Sequence, residues 1–477
     1  MRNIWITAAI VLFIIPAVAT VVLPPVSFVL LQNPVTGTEP YSSVIGDFNQ
    51  DGIPDIAVTN YGNNTVSLLF GNGDGTFQPA VQLLGENDPT GIAASDLNGD
   101  NILDLIVCNS GTSHVLVFLG NGDGTFQAPV TYESGLSPRD PVVTDLNGDG
   151  IPDIATPNVT SGTVSVFLGN GDGTFQTAKT FTVQPTPKTV VAGDVNGDGI
   201  IDLVTGNDNP GNVSVLIGNG DGTFQVAVSY PAGLGVRDVA MADFNADGKL
   251  DIVTANGNAS NISILLGNGD GSFESPVTYV TGSSPRSVAI ADYNGDGILD
   301  LAVSVYASST VSVLLGNGDG TFAAGPVIPT GPQPTSVRSA DLNNDGKPDL
   351  VVTIGGHPPA IDLQNYVTIF LSTPLSVSST SLKFNTRKVD TTSTPKSITL
   401  TNIGTATLTI TGFSLGGADP GDFQESSTCG STLAAGASCA VTVSFTPLIT
   451  GLRTATLLLT DSGLGSPQMV PLSGSGK

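Results

Sequence analysis

The stretch "DFNQDGIPD", Asp47 to Asp55, places oxygen-bearing side chains at alternating positions in a chain of which only 12% of the residues are charged. In D-x-N-x-D-G-x-x-D the side chains at positions 1, 3 and 5 can converge on one point if the backbone curls tightly. A glycine at position 6 permits that curl, and position 7 can add a carbonyl. A polar hairpin turn uses the same Asp, Asn and Gly. The ninth residue separates the two readings, because a turn alone needs no Asp at the head of the next strand.

The stretch is the first of seven copies. Its leading Asp recurs as Asp47, Asp96, Asp145, Asp194, Asp243, Asp292 and Asp341, always 49 residues apart. A second column, "GNGDGTF" or a close variant, begins at Gly71, Gly120, Gly169, Gly218, Gly267 and Gly316. Pro stands seven residues before the leading Asp at Pro40, Pro89, Pro138, Pro187, Pro285 and Pro334, with Val236 in its place once. In the sixth unit the β-branched runs and "NGDG" turns predict strands near Ser287 to Ala291, Leu299 to Val305, Thr310 to Leu315 and Pro326 to Pro329. Four strands in a repeat of this length make a propeller blade. The expected fold is therefore all-β, a seven-bladed β-propeller over residues 26–371.

The ends of the array predict how the ring closes. The seventh unit stops at "VTIFLSTP" without a fourth strand, while "PPVSFVLL" precedes the first Asp as an orphan. Pro25 to Leu30 is expected to complete the blade of Val367 to Leu371 and so remove the exposed sheet edges. A parallel β-helix of glycine-rich calcium nonapeptides is the structural rival, but those repeats cycle every nine residues.

Every copy keeps all four side-chain donors. The sets are Asp47, Asn49, Asp51 and Asp55; Asp96, Asn98, Asp100 and Asp104; Asp145, Asn147, Asp149 and Asp153; and Asp194, Asn196, Asp198 and Asp202. The last three are Asp243, Asn245, Asp247 and Asp251; Asp292, Asn294, Asp296 and Asp300; and Asp341, Asn343, Asp345 and Asp349. Hard oxygen donors with mixed charge suit Ca²⁺, and no Cys or His accompanies them to favour zinc. Up to seven structural Ca²⁺ are expected. With Asn at position 3 each shell carries three carboxylates, so the sites should be weak, on the order of 10⁻⁴ to 10⁻³ M. Three Asp in each of seven loops make 21 of the 41 acidic residues, and seven Ca²⁺ would move the net charge from -26 to -26 + 14 = -12. One loop departs from the pattern: Asn101 replaces the position 6 glycine, at a place where Asn tolerates the left-handed backbone. The single Asp of each "GNGDGTF" (Asp74, Asp123, Asp172, Asp221, Asp270, Asp319) reads as a hairpin residue.

A net charge of -26 argues against a nucleic-acid partner. At the N-terminus one Arg, an apolar core from Ile4 to Ile15 and Ala17-Val18-Ala19 read as a signal peptide over residues 1–19, with an uncleaved anchor as the rival reading. The expected location is therefore secreted, cell-surface or periplasmic, with no membrane span in the mature chain once the signal is removed. After "STP" at Ser372 to Pro374 the 49-residue clock stops, and Thr- and Ser-rich alternating strands follow. A linker over 372–376 and an immunoglobulin-like β-sandwich over 377–477 are expected. Cys429 and Cys439, ten residues apart, can close a small disulfide loop in an exported protein, and Cys108 reads as a small buried hydrophobe.

The repeated loops resemble the FG-GAP repeats of integrin α-subunit propellers and their bacterial VCBS-type relatives, from about Val26 to Leu371. That resemblance implies Ca²⁺ in blade hairpins on one face and ligand recognition on the opposite face. The run from Thr399 to Asp461 resembles the ASPM/SPD-2/Hydin-type sandwich of bacterial choice-of-anchor proteins.

Only two His occur, His114 and His357, neither in triad or metal-ligand spacing, so no catalytic constellation is evident. A non-catalytic, monomeric binding or adhesion protein for an extracellular protein or glycan is expected. An enzyme working in the propeller channel (a hydrolase or lyase) and a lectin are the alternatives. Arg139, Lys188, Arg237 and Arg286 stand six residues before their Asp, and Arg338 three before its own. A repeated position predicts a basic ligand rim at one end of the ring, unless the cations pair locally with residues such as Asp140 and Asp238. The unit-seven insertion, Gly355 to Tyr366, is a further candidate for specificity.

Overall fold

The computed structural model describes residues 26–355, 365–372, 375–379, 381–402, 407–461 and 468–477; residues 1–19, expected to be a signal peptide, His357 and most of the unit-seven insertion lie outside them. Each 49-residue unit becomes a four-stranded antiparallel sheet, and seven such sheets are present. In the first blade the strands are Pro40–Gly46, Asp55–Asn60, Thr65–Leu69 and Val81–Leu84, paired in chain order. In the sixth they are Pro285–Ala291, Asp300–Val305, Thr310–Gly316 and Phe322–Pro329.

Strand composition follows radial position. The second strand of every blade is wholly buried, because neighbouring blades cover both of its faces, so it reads as a continuous apolar run with little alternation. Fourth strands lie at the rim; in blades one, two, three and five, as at Val81–Leu84, they are mostly exposed. Blades are joined by shared cores: Phe48, Val66 and Leu68 of the first pack with Ile92, Leu105 and Phe118 of the second. The Phe of "GNGDGTF" adds an edge-on ring contact to the preceding blade, as Phe175 does to Tyr132 at 5.6 Å and Phe273 to Tyr230 at 5.6 Å.

The ring closes as its ends predict. Phe28–Gln32 pairs antiparallel with Tyr366–Ser372, with Phe28 opposite Ser372, Val29 opposite Leu371 and Leu30 opposite Phe370. Ile56, Val58 and Leu69 of the first blade share a core with Leu342, Val351 and Ile369 of the seventh. Deleting residues 26–33 should therefore expose the Tyr366–Ser372 edge and convert a monodisperse protein into aggregates without a cooperative melt. Size-exclusion chromatography with a thermal scan checks this, and an unchanged profile would show that the closing strand is dispensable.

The third blade departs from the pattern. Pro141 has no N–H to donate, and the inner strand is cut to Val142–Thr144. The preceding backbone instead bridges sideways, Asp140 to Thr189 of the fourth blade. It runs so close to Gly91 that a Cβ there would lie 2.6 Å from the Asp140 nitrogen, so no larger residue fits.

The C-terminal unit is a two-sheet sandwich. One sheet orders Leu375–Val377, Lys396–Asn402, Ser438–Phe445 and Phe423–Ser427; the other is five-stranded and includes Gln468–Gly476, Gly451–Asp461 and Leu408–Gly416. Ile398, Leu400, Val441, Val443, Phe445 and Leu457 lie between the sheets. Cys429 and Cys439 form a disulfide, and Cys108 is free and buried in the second blade. The linker is narrower than residues 372–376, since Ser372 still pairs with Phe28 and Leu375 already pairs with Asn402.

Candidate functional site

The aspartate loops close the hairpin between the first and second strand of each blade. In the first, Asp47 Oδ1 accepts the Asp51 N–H at 3.1 Å and Oδ2 the Gly52 N–H at 2.8 Å. Asn49 Oδ1 accepts the Asp51 N–H at 3.0 Å, and Asp51 Oδ1 accepts the Ile53 N–H at 2.8 Å. The second loop keeps this geometry with Asn101 at φ 64°, its N–H donating to Asp96 Oδ2 at 2.7 Å. Position 4 is left-handed as well, including at the non-glycine residues Gln50, Ala246 and Asn344.

The ninth Asp sits elsewhere and is fully buried in all seven blades. Asp55 Oδ2 accepts the Phe48 N–H at 3.0 Å and Oδ1 the Gly71 N–H at 2.8 Å, which staples the aspartate loop to the start of "GNGDGTF". The same pair of bonds holds Asp104, Asp153, Asp202, Asp251 and Asp300. In the seventh blade, which has no such turn, Ser372 N–H takes the glycine's place on Asp349 Oδ1 at 2.7 Å. Gly71 is required by the approach itself, since a Cβ there would lie 2.4 Å from the Pro54 carbonyl oxygen. Burial pushes Asp55 and Asp300 up to about 6 and Asp349 to about 7, against the lowering effect of their amide donors. Asp74 accepts the Thr76 N–H at 2.9 Å and its hydroxyl at 2.5 Å, the arrangement of a closed turn.

At the opposite end of the inner strands lies a channel cavity of about 350 Å³, and all five repeated cations line it, with Asp140 and Asp238. The expected rim is thus an interior crescent: consecutive blades three to six supply Arg139, Lys188, Arg237 and Arg286, while Thr335, Tyr41 and Thr90 occupy the same position in blades seven, one and two. Local pairing takes place through a residue not foreseen. Asp208, on the loop after the second strand of blade four, lies 3.1 Å from Arg237 Nη1 and 3.7 Å from Lys188 Nζ. Asp238 is engaged by backbone, accepting the Val239 N–H at 2.9 Å and the Val288 N–H at 3.0 Å. Arg338 is a latch between blades, donating to the Ser43 carbonyl at 3.0 Å and to Ser287 Oγ at 3.1 Å.

Arg139 and Arg286 are held by aromatic rings. Arg286 stacks over Tyr306 at 4.3 Å; Arg139 reaches past blade two to lie 5.0 Å from the Tyr41 ring and donates to its hydroxyl. Burial and the neighbouring Arg139 charge draw Lys188 down to about 8, with Asp208 opposing. Burial raises Asp140 to about 6, with Arg338 opposing and Asp238 adding to the rise.

Models of the FG-GAP-like repeat match residues 47–107, 96–156, 158–205, 194–254, 243–303 and 303–352. The chain belongs to the FG-GAP-like repeat family. A HYDIN/CFA65/VesB-like Ig-like domain matches residues 374–475. No curated protein matches the chain. Among solved structures, BBS1N in complex with ARL6DN, soaked with lead, is similar at 12% identity and TM-score 0.52, covering 73% of this chain and 97% of that one. Its mercury-soaked counterpart gives 12%, 0.53, 72% and 96%. A functionally unknown protein from Desulfotomaculum acetoxidans gives 13%, 0.48, 66% and 98%. These likenesses concern the fold.

The FG-GAP loops meet a hard cation on donor chemistry at positions 1, 3 and 5. An ionised carboxylate has about four lone-pair sites; Oδ1 of Asp96, Asp145 and Asp194 accepts three backbone amides, whereas each Asp47 oxygen and Oδ1 of Asp51 and Asp100 accepts one, so acceptor capacity remains mainly at position 5 and in the first loop. Among the described residues no three acidic, His or Cys side chains form a cluster that could hold a metal ion. The ninth Asp has its structural duty independently of any metal.

Sequence reasoning missed Asp208 and the tyrosines. Tyr41 occupies the crescent's own repeat position, a usable signal. Tyr61, Asp208 and Tyr306 share another column, fourteen residues after Asp47, Asp194 and Asp292, so their place in the repeat was a usable signal as well.

Proposed function

We propose that this FG-GAP chain is an exported, calcium-stabilised, non-catalytic binding or adhesion protein. It would present a protein or glycan ligand with the propeller face opposite the aspartate loops. The observation that carries this is the basic crescent with its tyrosines at the inner-strand starts, in a chain of net charge -26. The sandwich acts as a second module of the same exported chain, in keeping with the disulfide and the signal-like N-terminus. BBS1N, of the same fold, was crystallised with a protein partner, so proteins and glycans both belong in the search.

An array of extracellular proteins and glycans probed at millimolar calcium tests the reading. Binding should be lost in the double variant Arg237→Ala/Arg286→Ala and kept in Asp172→Ala, on the opposite face. Undiminished binding by the double variant would sink it.

One observation favours the channel enzyme as a second reading: Asp140, raised to about 6 by burial, is a protonatable acid beside Arg338, and its Oδ1 is buried without a hydrogen-bond partner among the described residues. Turnover of a glycoside or polyuronate that disappears in Asp140→Asn would support it over adhesion.

A further inference from the structure

We propose that the channel mouth binds the acidic head of a ligand, the carboxylate or sulfate of an acidic sugar, between Arg139, Arg237 and Arg286. The inference rests on the reading of this face as the ligand face and names what that face recognises.

Charge comes first. Five cations line or latch the channel against three acids, Asp140, Asp208 and Asp238, which leaves two positive charges in a strongly acidic protein. The acids are largely committed: Asp208 to Lys188 and Arg237, Asp238 to two backbone amides. Among the described residues neither Arg139 nor Arg286 has a carboxylate within ion-pair distance. The Nε atoms of Arg139, Arg237 and Arg286 are buried with no hydrogen-bond partner there. A buried donor without an acceptor is costly, and all three of these arginines line the same cavity, where an oxyanion can approach their guanidinium groups.

Preorganisation comes second. Tyr41 and Tyr306 fix the two unpaired guanidinium groups before any ligand arrives, which lowers the ordering cost of binding. A planar guanidinium fork matches carboxylate and sulfate oxygens. Shape comes third. A small recess of about 30 Å³, lined by Tyr41, Tyr61, Tyr306, Arg286 and Glu39, opens beside the crescent, and the channel volume of about 350 Å³ suits one sugar-sized group.

Calorimetric titration of the intact protein at 1 mM calcium and constant ionic strength, with sodium glucuronate, sodium sulfate and glucose, tests the site. Saturable binding of both anions, and none of glucose, is expected. Glucuronate binding more tightly than sulfate supports a channel that also holds the sugar body; equal affinities support the arginine head site alone. Arg286→Gln and Arg139→Gln should each weaken binding at least tenfold. Asp208→Asn should tighten it about threefold by freeing Lys188 and Arg237, a gain that a merely structural role would not produce. Matched melting curves show that each variant folds. No saturable anion binding, or wild-type affinity in both arginine variants, overturns the proposal. Array binding without anion binding would remove this inference alone; anion binding with an empty array would remove the adhesion reading and leave the channel site standing.

Discussion

Calcium at 10 mM should raise the melting temperature of the propeller by about 10 °C over the same protein in chelator. A loop of Kd about 1 mM gains about 1.4 kcal/mol at that concentration, and seven loops about 10 kcal/mol, by simple mass action. Spread over the unfolding entropy of a domain of about 350 residues, that energy corresponds to a shift of this size. The structure supports the estimate in two ways. The three carboxylates of each loop repel one another without a cation, as Asp47 and Asp51 both do toward Asp55. The loop backbone is already curled by its own Asx bonds, so little ordering is needed to bind. Magnesium, which holds its own hydration more strongly, should give a smaller shift. Asp145→Ala should remove one loop's share, about 1.4 kcal/mol. A melting temperature that does not move between chelator and 10 mM calcium would dispose of the calcium assignment.

Asp202→Ala should destabilise the protein by about 4 kcal/mol whether or not calcium is present. Two buried amides, Val195 N–H at 3.0 Å and Gly218 N–H at 2.8 Å, lose their acceptor together, and each bond to a charged group contributes about 1.5 to 3 kcal/mol. Asp202→Asn retains one acceptor oxygen but sets an amide donor against the other N–H, so its cost should be intermediate. Chelator separates the two roles of this residue. As a staple, its loss persists in chelator; as a metal ligand alone, variant and wild type would melt together there. Urea denaturation in both conditions reads the difference, and coincident curves in chelator would refute the staple.

The repeat made most of the scaffold legible before any coordinates. A constant step of 49 residues needs no tertiary information, because each blade repeats the same local problem: a turn that must curl, then a strand buried on both faces. Closure was legible for a related reason, since a missing fourth strand at one end and a surplus strand at the other are both visible in the sequence. Asp55 shows where such reading stops. Its recurrence pointed to a ligand, yet its two amide partners lie seven residues upstream and sixteen downstream, a contact pattern that spacing alone does not reveal.

By itself, then, the sequence determined the all-β class, the seven blades, the order of the strands, the sandwich and the loop chemistry, because all of these depend on local period and residue type. Tertiary structure alone decided what the cations do. Their columns placed them at one end of the ring; the closed ring turned them inward, latched Arg338 across blades and brought Asp208 of blade four to Arg237 of blade five. It also set Tyr41 beneath an arginine from two blades away. Arg139 and Tyr41, 98 residues apart, and Arg338 and Ser43, 295 apart, meet only when the blades assemble into the ring, and the energy of a charge depends on that company and on the water it has lost.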